Sequence, residues 1–162
     1  MDFLFDGPKD ARLTIALAHG AGGPMDSSFL NEAAKGMAEG GFRVARFEFP
    51  YMAARRAGKK SGAPDPPAVL RETWLDAIRA LGPDRLVVGG KSLGGRIASM
   101  VADEGGVRGL VCFGYPFHPP GKPERTRTAH LAALETPALV LQGERDPFGT
   151  PADVAGYRLS PA

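Results

Sequence analysis

Short apolar runs alternate with amphipathic stretches along the whole chain. Phe3-Leu4-Phe5 is followed by the turn signal Asp6-Gly7-Pro8, and then by Leu-Thr-Ile-Ala-Leu-Ala over residues 13–18. A continuous run of that length reads as a strand covered on both faces. It stops at His19-Gly20-Ala21-Gly22-Gly23. Over residues 27–39, Leu30, Ala33, Ala34, Met37 and Ala38 recur at helical spacing, and Gly40-Gly41 closes the pattern. Residues 43–49 predict a strand and residues 50–60 a loop, basic at Arg55, Arg56, Lys59 and Lys60. Pro64, Pro66 and Pro67 lead into a predicted helix over 68–81 that carries Val69, Leu70, Trp74, Ile78 and Leu81. The rest reads as a strand over 86–88, a helix over 93–104, a strand over 110–113 and a proline-rich loop over 115–125. A short helix over 129–134, a strand over 138–141 and a partial helix over 152–157 follow.

Alternating strands and helices build a mostly parallel sheet with helices on both faces, so the expected class is α/β, in a single domain over residues 1–162. Ligand sites in such sheets lie beyond the carboxyl ends of the strands. The segments 19–23, 50–60, 90–95, 115–125 and 143–149 are therefore expected on one face.

Gly90-Lys91-Ser92-Leu93-Gly94 matches G-x-S-x-G between a predicted strand and a predicted helix. That context marks a nucleophile elbow, a strained turn that lifts a serine Oγ above the sheet at a helix N-terminus. Ser92 is the candidate nucleophile, with Gly90 and Gly94 as its small flanking residues. Gly-Lys-Ser also invites a phosphate-loop reading, but the first glycine of that motif would fall at Arg85, so nucleotide binding is set aside. Acyl transfer needs two preset donors for the developing oxyanion. The backbone N–H groups of Leu93 and of Ala21 (or Gly22) are the candidates, Gly20 and Gly22 allow close backbone approach, and His19 is expected as a packed support. Asp146, in Gly143-Glu144-Arg145-Asp146 after the last strand, is the candidate triad acid.

With Val87-Val88-Gly89-Gly90-Lys91-Ser92-Leu93-Gly94-Gly95-Arg96, His19-Gly20-Ala21-Gly22, Arg46-Phe47-Glu48-Phe49-Pro50-Tyr51 and Gln142-Gly143-Glu144-Arg145-Asp146-Pro147-Phe148-Gly149, the chain resembles a family of small bacterial predicted α/β-hydrolases. These are related to the dienelactone hydrolase branch, and the resemblance covers nearly the whole chain. It implies the α/β-hydrolase fold and the roles of Ser92 and Asp146, and it carries no substrate with it.

Triads on this fold run serine, acid, histidine along the chain, and only 16 residues, none a histidine, follow Asp146. The expectation is a chain that lacks the last strand and helix of the fold, with its catalytic histidine beyond Ala162. His118 lies on the expected active face and is a possible substrate-facing residue; His130 is expected at the surface. Lys91 touches the elbow and is the other substrate-facing candidate. The basic residues at 55–60 either steer an anionic acyl substrate or form a solvated loop. Glu48 is expected to pair with Arg46 or with a loop residue.

Composition changes this picture little. Net charge is +2 and hydrophobic residues make up 43%, so neither nucleic acid nor membrane is an expected partner. Cys112, alone in the sequence and inside an apolar run, reads as a buried hydrophobe in a reducing compartment. The expectation is a cytoplasmic serine hydrolase of esters, thioesters or lactones, with a small acyl substrate and neither cofactor nor metal. The alternative is a non-catalytic scaffold or small-molecule binder on the same fold. Oligomeric state is not legible.

Overall fold

Among the described residues, 1–59 and 63–162 of a computed structural model, six strands form one sheet in the order β1-β3-β2-β4-β5-β6. They are β1 (Leu4–Asp6), β2 (Thr14–Ala18), β3 (Arg43–Phe47), β4 (Leu86–Lys91), β5 (Gly109–Phe113) and β6 (Ala138–Leu141). β1 runs antiparallel to β3, and the remaining neighbours pair in parallel. The helices are α1 (Ser28–Glu39), α2 (Pro50–Arg56), α3 (Pro67–Leu81), α4 (Leu93–Ser99) and α5 (Pro151–Ala155).

The two-residue period of the strands sorts their side chains onto two faces. Ile15, Leu17, Val44 and Val111 pack with Leu30 and Ala34 of α1 on one face. Ala16, Ala18, Phe47, Val88, Leu110 and Cys112 pack on the other, with Trp74 and Ile78 of α3 and Ile97 and Ala98 of α4. Helices cover both faces, which is why the central strands are apolar at consecutive positions. Arg46 is the exception, a buried cation on β3. It donates to Asp6, Asn31 and the Met25 carbonyl, so its charge is both paired and hydrogen-bonded. Cys112 is buried as expected, and desolvation pushes its thiol up to about 12.

Several elements depart from the sequence expectation, β4 among them, which runs on to Lys91. β3 ends at Phe47 rather than at residue 49, because Pro50 opens α2 across the segment expected to be loop. Proline fits a first helical turn, whose N–H has no intrahelical partner. α4 ends at Ser99 rather than at residue 104. There the N–H groups of Met100 and Val101 donate three residues back, to Ile97 and Ala98, and the Ser99 hydroxyl donates to the Arg96 carbonyl at 2.7 Å. The chain tightens into turns, and Gly105-Gly106 supports no return to helix. The predicted short helix near residue 130 is a 3-10 turn, Ala129–Ala133. No helix of the described residues is long and apolar enough to cross a membrane.

Candidate active site

β4 passes into α4 with only Ser92 between them. Ser92 adopts φ 49° and ψ −110°, and among the described residues it is the one non-glycine residue with positive φ. Such a backbone costs about 1–3 kcal/mol and persists only where neighbours over-determine it. They do so here. Ser92 N–H donates to the Phe113 carbonyl at 2.9 Å, and Arg96 N–H donates to the Ser92 carbonyl at 2.9 Å. A Cβ on Gly90 would fall 2.1 Å from the Ala18 oxygen, and one on Gly94 2.3 Å from the same atom. The motif glycines are thus what lets the elbow sit against the end of β2. Trp74 supports it from below, its indole N–H donating to the Gly94 carbonyl at 3.2 Å.

The loop after β2 reaches the elbow. A Cβ built on Gly20 would lie 3.8 Å from the Ser92 Cβ and 3.6 Å from the Lys91 oxygen. Ala21 and Gly22 follow it, exposed. Leu93, the first residue of α4, has an N–H with no carbonyl one turn back to accept it. His19 is fully buried and both ring nitrogens are taken by backbone: Phe49 N–H donates to Nε2 at 3.1 Å, and Nδ1 donates to the Gly20 carbonyl at 2.7 Å. That pair of partners requires the neutral ring, and burial lowers the His19 pKa in the same direction. The Tyr51 hydroxyl donates to the carbonyls of Ala21 and Gly20, at 3.2 and 3.4 Å.

Asp146 lies in the turn after β6. Its N–H donates to the Gly143 carbonyl at 3.0 Å, and its Oδ1 accepts from Phe148 N–H at 2.9 Å. Ser92 and Asp146 line one open cleft of about 590 Å³ with Gly114, Glu144, Arg145 and Phe148. No histidine is among the cleft's lining residues. His118 is buried, with Nδ1 donating to the Pro119 carbonyl and Nε2 3.6 Å from Asp153. His130, expected at the surface, is half-buried, with Nε2 2.8 Å from the Ser99 hydroxyl and 3.4 Å from the Tyr115 hydroxyl. The shortened α4 presents Ser99 to it, which is why it turns inward.

The basic segment is only in part the solvated loop expected, since Lys59 is exposed beyond the helix while the two arginines are not in a loop. Arg55 and Arg56 belong to α2, and Arg56 donates to both Glu48 and Asp26. Glu48 therefore pairs with Arg56 and not with Arg46, whose partner is Asp6. Lys60 lies outside the described residues. Sequence reasoning missed Tyr51, Trp74 and Gln142, whose amide bonds Tyr115 N–H, the Tyr115 carbonyl and the Gly149 carbonyl. Each braces backbone at the end of a strand. Trp74 gave no signal beyond its apolar spacing, and Tyr51 and Gln142 none beyond their place in the motifs of the resemblance.

A family model described as an alpha/beta hydrolase domain matches residues 11–162. An alpha-beta serine hydrolase homologue from Coxiella burnetii is similar with a TM-score of 0.73 and 23% identity, covering 94% of this chain and 73% of that one. A Xanthomonas campestris serine hydrolase described as without lid gives 0.64 and 21%, covering 95% and 70%. A dienelactone hydrolase from Anabaena variabilis gives 0.66 and 19%, covering 94% and 70%. At these identities the likeness is one of fold, and it agrees with the mostly parallel sheet. With the family model matched over nearly its whole length, the chain belongs to the alpha/beta hydrolase domain family.

Proposed function

We propose that the cleft is a serine hydrolase site for small esters, thioesters or lactones. Ser92 Oγ attacks the substrate carbonyl, and the N–H groups of Leu93 and Ala21 receive the oxyanion. A histidine oriented by Asp146 takes the serine proton and passes it to the leaving alcohol or thiol. Water, activated by the same base, then releases the acid from the acyl-serine. The histidine comes from outside residues 1–162, since His19, His118 and His130 are each engaged elsewhere. The observation that carries this reading is the strained backbone of Ser92, held at the mouth of a cleft that Asp146 also lines. The connection after β5 packs inward through Tyr115 and Phe117, leaving an open cleft suited to small substrates.

Free imidazole tests the assignment by standing in for the base. With p-nitrophenyl acetate, residues 1–162 should become acetylated at Ser92, read by mass spectrometry of peptides, at a rate that rises with imidazole. Ser92→Ala should abolish that modification. Acetylation that never reaches Ser92, or that leaves the cleft peptides untouched, would favour a scaffold that binds and does not turn over.

A further inference from the structure

A second lobe of about 400 Å³, lined by Phe29, Lys91, Phe113, Gly114, Leu141, Gln142 and Gly143, adjoins the cleft and shares Lys91, Phe113, Gly114 and Gly143 with it. Register explains how it is built. Lys91 pairs with Phe113 across β4 and β5, and Phe113 pairs with Leu141 across β5 and β6. Partners in register point to the same face, so these three side chains form one row at the carboxyl ends of the strands. It is the face that carries α1, and Phe29 of α1 closes over the row, its ring edge-on to Phe113 at 5.6 Å. Three apolar side chains thus wall a space that shares Lys91 and Phe113 with the cleft that Ser92 lines.

Lys91 is the odd member. Its Nζ lies 4.7 Å above the Phe29 ring, and among the described residues no carboxylate lies within ion-pair distance of it and no hydrogen bond ties it. Glu144, Arg145 and Asp146 line the cleft together with Lys91 but are not among the residues lining the apolar lobe. A cation held only by a ring face, at the rim of an apolar lobe, is a partner for an anion whose apolar part fills that lobe.

We propose that the lobe receives substrates with an apolar, phenyl-sized acyl group bearing a carboxylate, and that Lys91 selects them by pairing with that carboxylate. Lys91 acts in recognition and takes no part in proton transfer. The proposal rests on the reading of Ser92 as the nucleophile, so its test is made by binding, without turnover.

Isothermal titration of residues 1–162 with 3-phenylpropionate and with its neutral amide separates charge from shape. The acid is expected to bind about fivefold tighter than the amide, as an exposed ion pair allows. Lys91→Met should remove that preference while leaving amide binding in place, and Phe29→Ala should weaken both ligands together. Raising salt should erode only the acid's advantage. Equal affinity for acid and amide in the wild type, a preference that survives Lys91→Met, or no binding of either ligand overturns the proposal. Each of these results leaves imidazole-dependent acetylation of Ser92 free to succeed. If acetylation fails and the acid still binds in a Lys91-dependent way, it is the hydrolase reading that falls.

Discussion

The two candidate residues are carried by opposite kinds of backbone. Ser92 sits at the centre of the sheet, between buried strands, where glycines touch the carbonyls of β2 and β4 at distances no Cβ tolerates. Asp146 follows β6, the outermost strand, whose Leu139, Val140 and Leu141 are 57%, 37% and 49% exposed. The place of Ser92 is fixed by steric necessity. The place of Asp146 depends on a strand that, among the described residues, pairs on one side only, held by Gln142 and by the turn around it. Within one cleft, one candidate residue is on rigid support and the other is on the part of the sheet with the least burial behind it.

The strongest test compares glycines in the two halves. Gly90→Ala drives a Cβ into the Ala18 carbonyl at a φ of 149°, and should lower stability by about 3 kcal/mol or more. Gly143→Ala meets nothing nearer than the Asp146 Cβ at 4.0 Å and should shift stability by no more than about 0.5 kcal/mol. Urea denaturation of both variants reads the difference. Equal losses would mean that the elbow is less constrained than its geometry implies.

His19 sharpens the same point through pH. Its ring accepts from Phe49 N–H only when neutral, and burial holds its pKa below the ordinary 6.5. The unfolded chain therefore binds the proton first. His19's contribution is whole above pH 6.5 and is lost as pH falls through its lower folded pKa. His19→Phe should remove that pH dependence and cost about 1–3 kcal/mol at pH 8, because Phe49 N–H is left buried without an acceptor. An unchanged stability-pH profile between pH 4 and 8, read as thermal midpoints over that roughly chosen window, would remove His19 from this role.

The sequence discloses these two halves unequally. The alternation of strands and helices and the turn at Ser92 were legible because apolar runs, Gly-Gly pairs and G-x-S-x-G each impose a backbone consequence. The end of α4 was not, since it turns on a Ser99 hydroxyl that bonds both the Arg96 carbonyl and a histidine 31 residues away. α2 was hidden for a different reason. Its basic residues suggest a solvated loop, whereas Pro50 at the first turn and the pairing of Arg56 with Glu48 and Asp26 make it a helix. The apolar lobe was equally invisible, because Lys91, Phe113 and Leu141 meet only through strand register.

On the peripheral half, Asp103 anchors the entry to β6. Its carboxylate accepts from the N–H groups of Glu135 and Thr136 and from the Thr136 hydroxyl. Partial desolvation opposes its ionisation, but these donors outweigh it and hold its pKa below the ordinary 3.8. The tie is complete above that value and is lost as pH falls through the depressed one. Asp103→Ala should cost about 1 kcal/mol near neutrality, after allowance for screening at this exposed site. Hydrogen exchange should rise in β6 and spare β4. Uniform acceleration across the sheet would show that the two halves are not separable.

The smallest effect on stability is expected at the β6 edge itself, and it is the one that bears most on behaviour in solution. The opposite edge, β1, is three residues long, with Asp6 bonded to Arg46 and Phe5 under the Arg43 guanidinium at 4.2 Å. Charge and shortness blunt it against further pairing. β6 has no charged residue between Ala138 and Leu141, pairs among the described residues with β5 alone, and carries exposed apolar side chains. Residues 1–162 should therefore self-associate through β6 as concentration rises. Leu139→Lys, at the most exposed of the three positions, should move the population to monomer in analytical ultracentrifugation, because a buried lysine opposite its own copy repels and desolvates. Its folding stability should stay within about 0.5 kcal/mol of the parent, since that side chain packs against little. A parent chain that sediments as a monomer at all concentrations would show that the edge is blunted by its twist and loops, and that exposure of apolar side chains alone does not make β6 adhesive.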